Sequence, residues 1–254
     1  MTLLLASVIL APNAPKIGSY TYLSDSSKPQ YVVFEGNRWR TATFAEKRQI
    51  QLAGANKDSV PPSDPRGRYR LESSVYKSTY DVQGYNVVDK SRRVIARVED
   101  MLASPGREGE THWLDVLGWG SPDDLVINRT NGSGSVGTYG SFISFNVRTH
   151  RLNPQVILAC GKGLAVRIGE RKKVEWGDPG KQGDWPLLYR LAIGKKPTQL
   201  RFEGQPVRSK FLQVSPVGRW IIAYAQKDYN YLLIDLSVGQ VRKLPGNNSF
   251  FFLH

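Results

Sequence analysis

The chain has 254 residues, 40% of them hydrophobic and 22% charged, with one cysteine and a formal net charge of +13. A single cysteine excludes intramolecular disulfides, and no paired Cys or His spacing offers a zinc site. No apolar run reaches the length needed to span a bilayer as a helix, and the basic balance favours an acidic partner or surface.

The first feature is an apolar run at residues 3–10. It lacks the basic residue that precedes a secretory h-region, and Ala14 after Pro12 makes a poor cleavage context, so the run reads as a first strand leading to a turn at Pro12 rather than a signal. Behind that turn stand apolar or alternating runs at 17–23, 31–34 and 39–44, then a short stretch, 44–52, that is the best helical candidate in the chain. The same pattern returns after the turn Ser63-Asp64-Pro65-Arg66-Gly67, with runs at 68–74, 85–89 and 94–98. A third copy follows Trp119-Gly120-Ser121-Pro122-Asp123-Asp124, with runs at 125–128 and 142–146 and a return after His150. The fourth replaces the Pro turn by Gly161-Lys162-Gly163 and continues at 164–168, 187–191 and 198–202. The last is the fullest: 211–214, the turn Ser215-Pro216-Val217-Gly218, then 220–225, 231–235 and 241–244.

The copies centre on Glu35, Asp89, Asn146, Arg190 and Asp235, spaced by 44 to 57 residues, a period that signals a solenoid, array or propeller. Pro presets φ at the second turn position and Gly accepts the positive φ that closes the link. The runs are short and rich in Val, Ile, Tyr, Phe and Trp, which suits strands. A four-stranded sheet cannot bury both faces without neighbours, so the expected fold is all-β: a β-propeller of four-stranded blades, five in number, forming a single domain over residues 1–254. The apolar strand at 250–253 is expected to pair with the first blade and close the ring, because an open edge of that hydrophobicity invites aggregation.

The segment Ser215-Pro216-Val217-Gly218-Arg219-Trp220-Ile221-Ile222-Ala223, followed by Leu232-Leu233-Ile234-Asp235-Leu236, resembles the TolB-type (WD-like) propeller repeat, whose mark is a Ser-Pro-Asp-Gly turn before an apolar strand and a later strand ending in Asp. Val217 stands where that pattern has Asp, the turns at Pro65 and Pro122 match it less fully, and the first and fourth copies lack it. The resemblance implies a propeller that binds other proteins and an exported or envelope location; it implies no activity and no cofactor.

In a propeller, the connections between second and third strands share one face with those between blades, and here they are the long ones: 24–30, 75–84, 129–140 and 169–186, with 45–62 and 99–111. Binding residues concentrate on loops held by a rigid scaffold, so this face is the expected binding surface for a protein or acidic ligand. Its expected contacts are Arg171, Lys172, Lys173, Trp176, Lys181 and Trp185 in the richest loop, with Tyr76, Tyr80, Tyr139 and Tyr229, since Trp, Tyr and Arg anchor interfaces. The clusters Arg92-Arg93, Arg171-Lys172-Lys173 and Lys195-Lys196 fall on turns of opposite faces, which argues against nucleic acid as the partner.

Catalytic patterns are weak. His112 near Asp115 is the one conceivable hydrolytic pair, and Cys160 has no base nearby in sequence. Carboxylates at Asp64, Asp115, Asp123, Asp124 and Glu203 keep open an alternative from another class, a glycan-active propeller that is either hydrolase or lectin. The preferred reading is a non-enzymatic binding module without metal or cofactor.

Overall fold

The computed structural model describes residues 15–22, 28–36, 38–55, 66–77, 81–98, 111–133, 137–169, 185–245 and 250–253. Among them, strands come in the order β1 (Ile17–Tyr22), β2 (Pro29–Glu35) and β3 (Arg38–Thr41), then the one α-helix, α1 (Phe44–Ala55). β4 (Tyr69–Lys77), β5 (Asp81–Asp89) and β6 (Val94–Arg97) are followed by β7 (Thr111–Trp119), β8 (Asp124–Ser133), β9 (Gly137–Asn146) and β10 (Arg151–Asn153). Next are β11 (Val156–Gly161), β12 (Leu164–Ile168), β13 (Leu188–Ala192) and β14 (Thr198–Gln199), then a small hairpin of β15 (Arg201–Phe202) and β16 (Gln205–Pro206). β17 (Ser209–Val214), β18 (Trp220–Ala225), β19 (Tyr231–Asp235), β20 (Gln240–Lys243) and β21 (Phe250–Phe252) complete the series.

The architecture is all-β apart from α1: six small antiparallel sheets and no closed barrel among the described residues. Each of the five sequence copies occupies its own sheet, and the sixth sheet is the hairpin β15–β16. The chain divides into two compact units, Met1–Lys57 with Asn247–His254, and Asp58–Gly246.

In the first unit the sheet order is β21-β1-β2-β3, with Phe252 opposite Ile17 and Phe250 opposite Ser19. The expected pairing of the C-terminal strand with the first copy is therefore present. The run at 3–10 lies outside the described residues, and the first-strand place beside Ile17, Gly18 and Ser19 belongs to β21. The ring of Phe250 stacks on Trp39 at 5.9 Å and that of Phe251 on Tyr20 at 6.2 Å. Helix α1 extends three residues beyond the candidate stretch and begins at a reciprocal cap: Glu46 N–H donates to Thr43 Oγ1 at 3.3 Å, and Thr43 N–H donates to Glu46 Oε2 at 2.9 Å. Ile50 buries against Val33 and Leu253. Glu46 also accepts from Arg40 and lies 3.7 Å from Lys16, and the Arg40 guanidinium above all holds its carboxyl far below the ordinary range.

In the second unit, sheets bury both faces against neighbours. Strand β8 carries three consecutive fully buried residues, Leu125, Val126 and Ile127. Leu125 and Ile127 join Leu71, Tyr85 and Val87 of the β4–β6 sheet, whereas Val126 points the other way to Leu158, Val166 and Ile221. Alternate side chains of one strand thus feed two cores, and each such burial contributes about 1.5 to 3 kcal/mol. Turns between third and fourth strands are fixed by the residues on which the copies centre. Asp89 accepts from Ser91 and Arg93, Asn146 from Arg148 and Thr149, and Asp235 from Ser237. Burial pulls the Asp235 carboxyl upward, but a two-point contact from Arg219 together with the Ser237 donors outweighs it and holds the group below its ordinary value. Arg190, at the matching place in the fourth copy, donates instead to the Leu236 and Ser237 carbonyls.

Two expected loops are not loops. Residues 75–77 with 81–84, and 129–133 with 137–140, continue the ladders of β4–β5 and β8–β9, so that Lys77 pairs with Asp81 and Ser133 with Gly137. Backbone hydrogen bonds propagate a hairpin whether or not its side chains are apolar, and the weak apolar signal of these arms concealed them. Residues 45–55 of the expected loop 45–62 are helical. The tight turns at 215–219 and 90–93 agree with the sequence reading.

Candidate functional site

A cluster of four aromatic rings stands where the β18–β19 connection meets the segment leading into β13. Tyr224 near the end of β18 faces Tyr231 at the start of β19, the cross-strand rings lying 4.7 Å apart. Trp185 lies 5.6 Å from Tyr224 and meets Tyr229 edge-on at 6.0 Å. Between β18 and β19, Asp228 and Tyr229 take φ of +54° and +50° in a single 3-10 turn, a backbone region that non-glycine residues seldom occupy. Local strain of this sort is characteristic of functional positions, and here it accompanies a Tyr229 side chain that is 51% exposed.

Trp185 forms the floor and is held at its backbone from two sides. Its N–H donates to Gln226 Oε1 at 2.9 Å, and its carbonyl accepts from Arg208 Nη1 at 3.0 Å. Lys210 reaches over this floor, with Nζ 4.9 Å from the Trp185 ring centre and 5.4 Å from that of Tyr224. Its position follows from a register shift in β17: Ser209 pairs with Ala225 and Phe211 with Tyr224, leaving Lys210 as the extra residue of a bulge. Bulges re-aim side chains and are common beside active sites. Ser209 Oγ accepts from the Phe211 N–H and lies 2.8 Å from the Tyr224 carbonyl, while the Lys210 carbonyl accepts from Asn128 Nδ2 at 3.3 Å. Burial holds the Lys210 ammonium below its ordinary value. A cation on aromatic faces gains about 0.5 to 2 kcal/mol, depending on how far it is desolvated.

Of the expected contacts, Trp185 and Tyr229 come together in this cluster. Trp185 does so as a buried base, 6% exposed, not as a projecting anchor, because the Gln226 and Arg208 bonds fold its backbone onto the sheet end. Tyr76 belongs to β4 and Tyr139 to β9, both in ladders and not in loops. Arg171, Lys172, Lys173, Trp176, Lys181 and Tyr80 lie outside the described residues. Sequence reasoning missed Lys210, Tyr224 and Tyr231. Only the flanking of the 226–230 turn by two tyrosines could have hinted at them; the bulge at Lys210 leaves no mark in composition. The basic pairs Arg92-Arg93 and Lys195-Lys196 occupy exposed turns of separate sheets.

The carboxylates considered for hydrolysis are occupied or apart. Asp123 pairs with Arg68 at 2.8 Å, Asp124 accepts from Ser121 and Asn146, and Glu203 sits in the exposed β15–β16 turn. Asp64 is outside the described residues, as are the side chains of Asp115 and His112. No group of three or more His, Cys, Asp or Glu among the described residues could hold a metal ion, and no described helix is long and apolar enough to cross a membrane. Cys160 is buried, its Sγ donates to the Leu158 carbonyl at 3.4 Å, and burial pushes the thiol up to about 12. A thiol reagent at pH 8 is therefore expected to leave the native protein unlabelled and to label Cys160 fully once urea unfolds it, as mass spectrometry would read; rapid native labelling would contradict this burial.

No family model and no curated protein sequence matches the chain. Solved structures similar to it include two of low identity. TolB from Acinetobacter baumannii is 13% identical at a TM-score of 0.35, over 91% of this chain and 52% of TolB, so this chain spans about half the length of that protein. A putative 6-phosphogluconolactonase from Bacteroides fragilis NCTC 9343 is 8% identical at a TM-score of 0.32, over 94% of this chain and 98% of that one. Likenesses at these scores carry no argument about fold or function.

Proposed function

We propose that the chain is a single five-bladed β-propeller, its first blade completed by β21, acting as a non-enzymatic module that recognises a protein or an acidic ligand. The fold reading is supported by five copies in five sheets and by β8, which supplies both faces of its sheet to neighbouring cores. The observation that carries the function is the aromatic cluster around Lys210, where rings and a cation are set on rigid strand ends in the manner of an interface anchor. Recognition sites of this make need no reacting group, and Asp123 and Asp124 are engaged in structural contacts.

Affinity capture from an extract of the source cells, with the intact protein and with Tyr229→Ala, tests the reading after equal urea midpoints show that both fold. A set of proteins or acidic molecules retained by the first and lost by the second is expected. Equal recovery would remove this face from consideration.

A further inference from the structure

We propose that Lys210 is the anchoring charge of this face, its ammonium receiving the carboxylate of a Glu or Asp side chain in an acidic peptide segment whose stem lies against Tyr224 and Tyr229. The proposal rests on the preceding reading that the face binds a partner, and it names the chemistry of that partner. Among the described residues, Lys210 has no carboxylate within ion-pair distance and no hydrogen-bond acceptor for Nζ, which lies over two ring faces. Three other cations of the second unit have acceptors, Arg219 in Asp235, Arg68 in Asp123 and Arg190 in two carbonyls, whereas Arg167 resembles Lys210 in lying over a ring, that of Tyr189, with no acceptor for its Nε among the described residues. An ammonium that is partly desolvated without a counter-charge is costly, and a carboxylate entering from solvent relieves that cost.

The backbone makes the position deliberate. A bulge isolates Lys210, Ser209 closes the bulge on one side, and Asn128 from another sheet caps the Lys210 carbonyl. Three aromatic side chains, Tyr224, Tyr229 and Tyr231, surround the rim of the Trp185 floor. Rings of this kind offer apolar faces to a methylene stem while their edges stay wet. A second cation, Arg208, is fixed at the same tryptophan through its carbonyl. A phosphate would call for several converging donors, as Arg forks supply. The arrangement here presents one ammonium that is not committed to an acceptor, which matches a single monovalent carboxylate.

The direct test is a titration of the protein with its lysines reductively methylated by 13C-formaldehyde, with the signal absent from Lys210→Met assigned to Lys210. Ring currents are expected to displace this signal from those of the other lysines. Hexaglutamate peptide should move it saturably, hexaglutamine should not, and inorganic phosphate should move it no further than sodium chloride of equal ionic strength. In the unmethylated protein, Lys210→Met should weaken hexaglutamate binding by about tenfold or more, with Lys210→Arg much closer to the parent. A signal that hexaglutamate leaves still, or that hexaglutamate moves no further than phosphate or chloride does, overturns the proposal. Should Lys210→Met fail to fold, Lys210→Arg serves for assignment and the titration stands. Loss of capture in Tyr229→Ala with hexaglutamate binding unchanged in Lys210→Met would keep the face and discard Lys210 as its anchor. Unchanged capture in Tyr229→Ala beside a moving Lys210 signal would do the reverse.

Discussion

Gly218→Ala should destabilise the second unit by about 3 kcal/mol or more, enough to leave much of the protein unfolded at 37 °C. The residue has φ of +70°, and a Cβ built there would stand 1.3 Å from the carbonyl oxygen of Cys160. Two costs combine. The left-handed backbone costs an L-residue about 1 to 2 kcal/mol, and the rest comes from forcing the β17–β18 turn away from the end of β11. The turn cannot yield freely. Gly218 N–H donates to the Ser215 carbonyl at 2.8 Å, and Ser215 N–H donates to the Trp220 carbonyl while its hydroxyl accepts from the Trp220 N–H. Gly204→Ala is the control, with φ of +76° and nothing within 4 Å of its added Cβ, so only the backbone cost applies. Urea midpoints at constant slope separate the two; equal midpoints would mean that the close approach at Cys160 does not exist in solution.

Phe252→Ala should cost the first unit about 3 to 5 kcal/mol, and Phe250→Ala a similar amount, whereas Phe251→Ala should cost distinctly less. Phe250 is 3% and Phe252 8% exposed, on one face of β21, while the half-buried Phe251 turns to the other face against Tyr20. Loss of either buried ring weakens the hold of β21 on β1 as well as opening a cavity. Faster amide exchange at Gly18 and the neighbouring β1 residues should therefore accompany the lower urea midpoint. Three equal effects would show that the strand is not seated by its alternating faces.

Much of the fold could be read from the residues. Turn chemistry at Pro122 and Pro216 announced the β7–β8 and β17–β18 connections, and Asp89, Asn146 and Asp235 marked the ends of β5, β9 and β19 because short polar side chains close the following turn. The β21–β1 pairing followed from the hydrophobicity of 250–252 alone. Helix α1 was fainter, since only Glu46 and Ile50 among its described side chains are buried and no apolar stripe results; its Thr43-x-x-Glu46 start was the stronger sign and went unused. The hairpin arms within 75–84 and 129–140 were hidden for a different reason, as their ladders rest on backbone groups that every residue carries alike. The candidate site was legible only at Trp185 and Tyr229. Lys210, Tyr224 and Tyr231 meet through strand register and a bulge, which one-dimensional patterning does not encode.

Completion of the first sheet by residues 250–252 makes translation order matter. Strands β1, β2 and β3 leave the ribosome before β4 to β20, yet one margin of β1 has to wait for β21, about 10 to 50 s at ordinary elongation speeds. Throughout that interval the nascent chain presents an unsatisfied row of N–H and C=O groups to other molecules, so holdase chaperones or a crowded polysome would meet this protein at the open margin of β1.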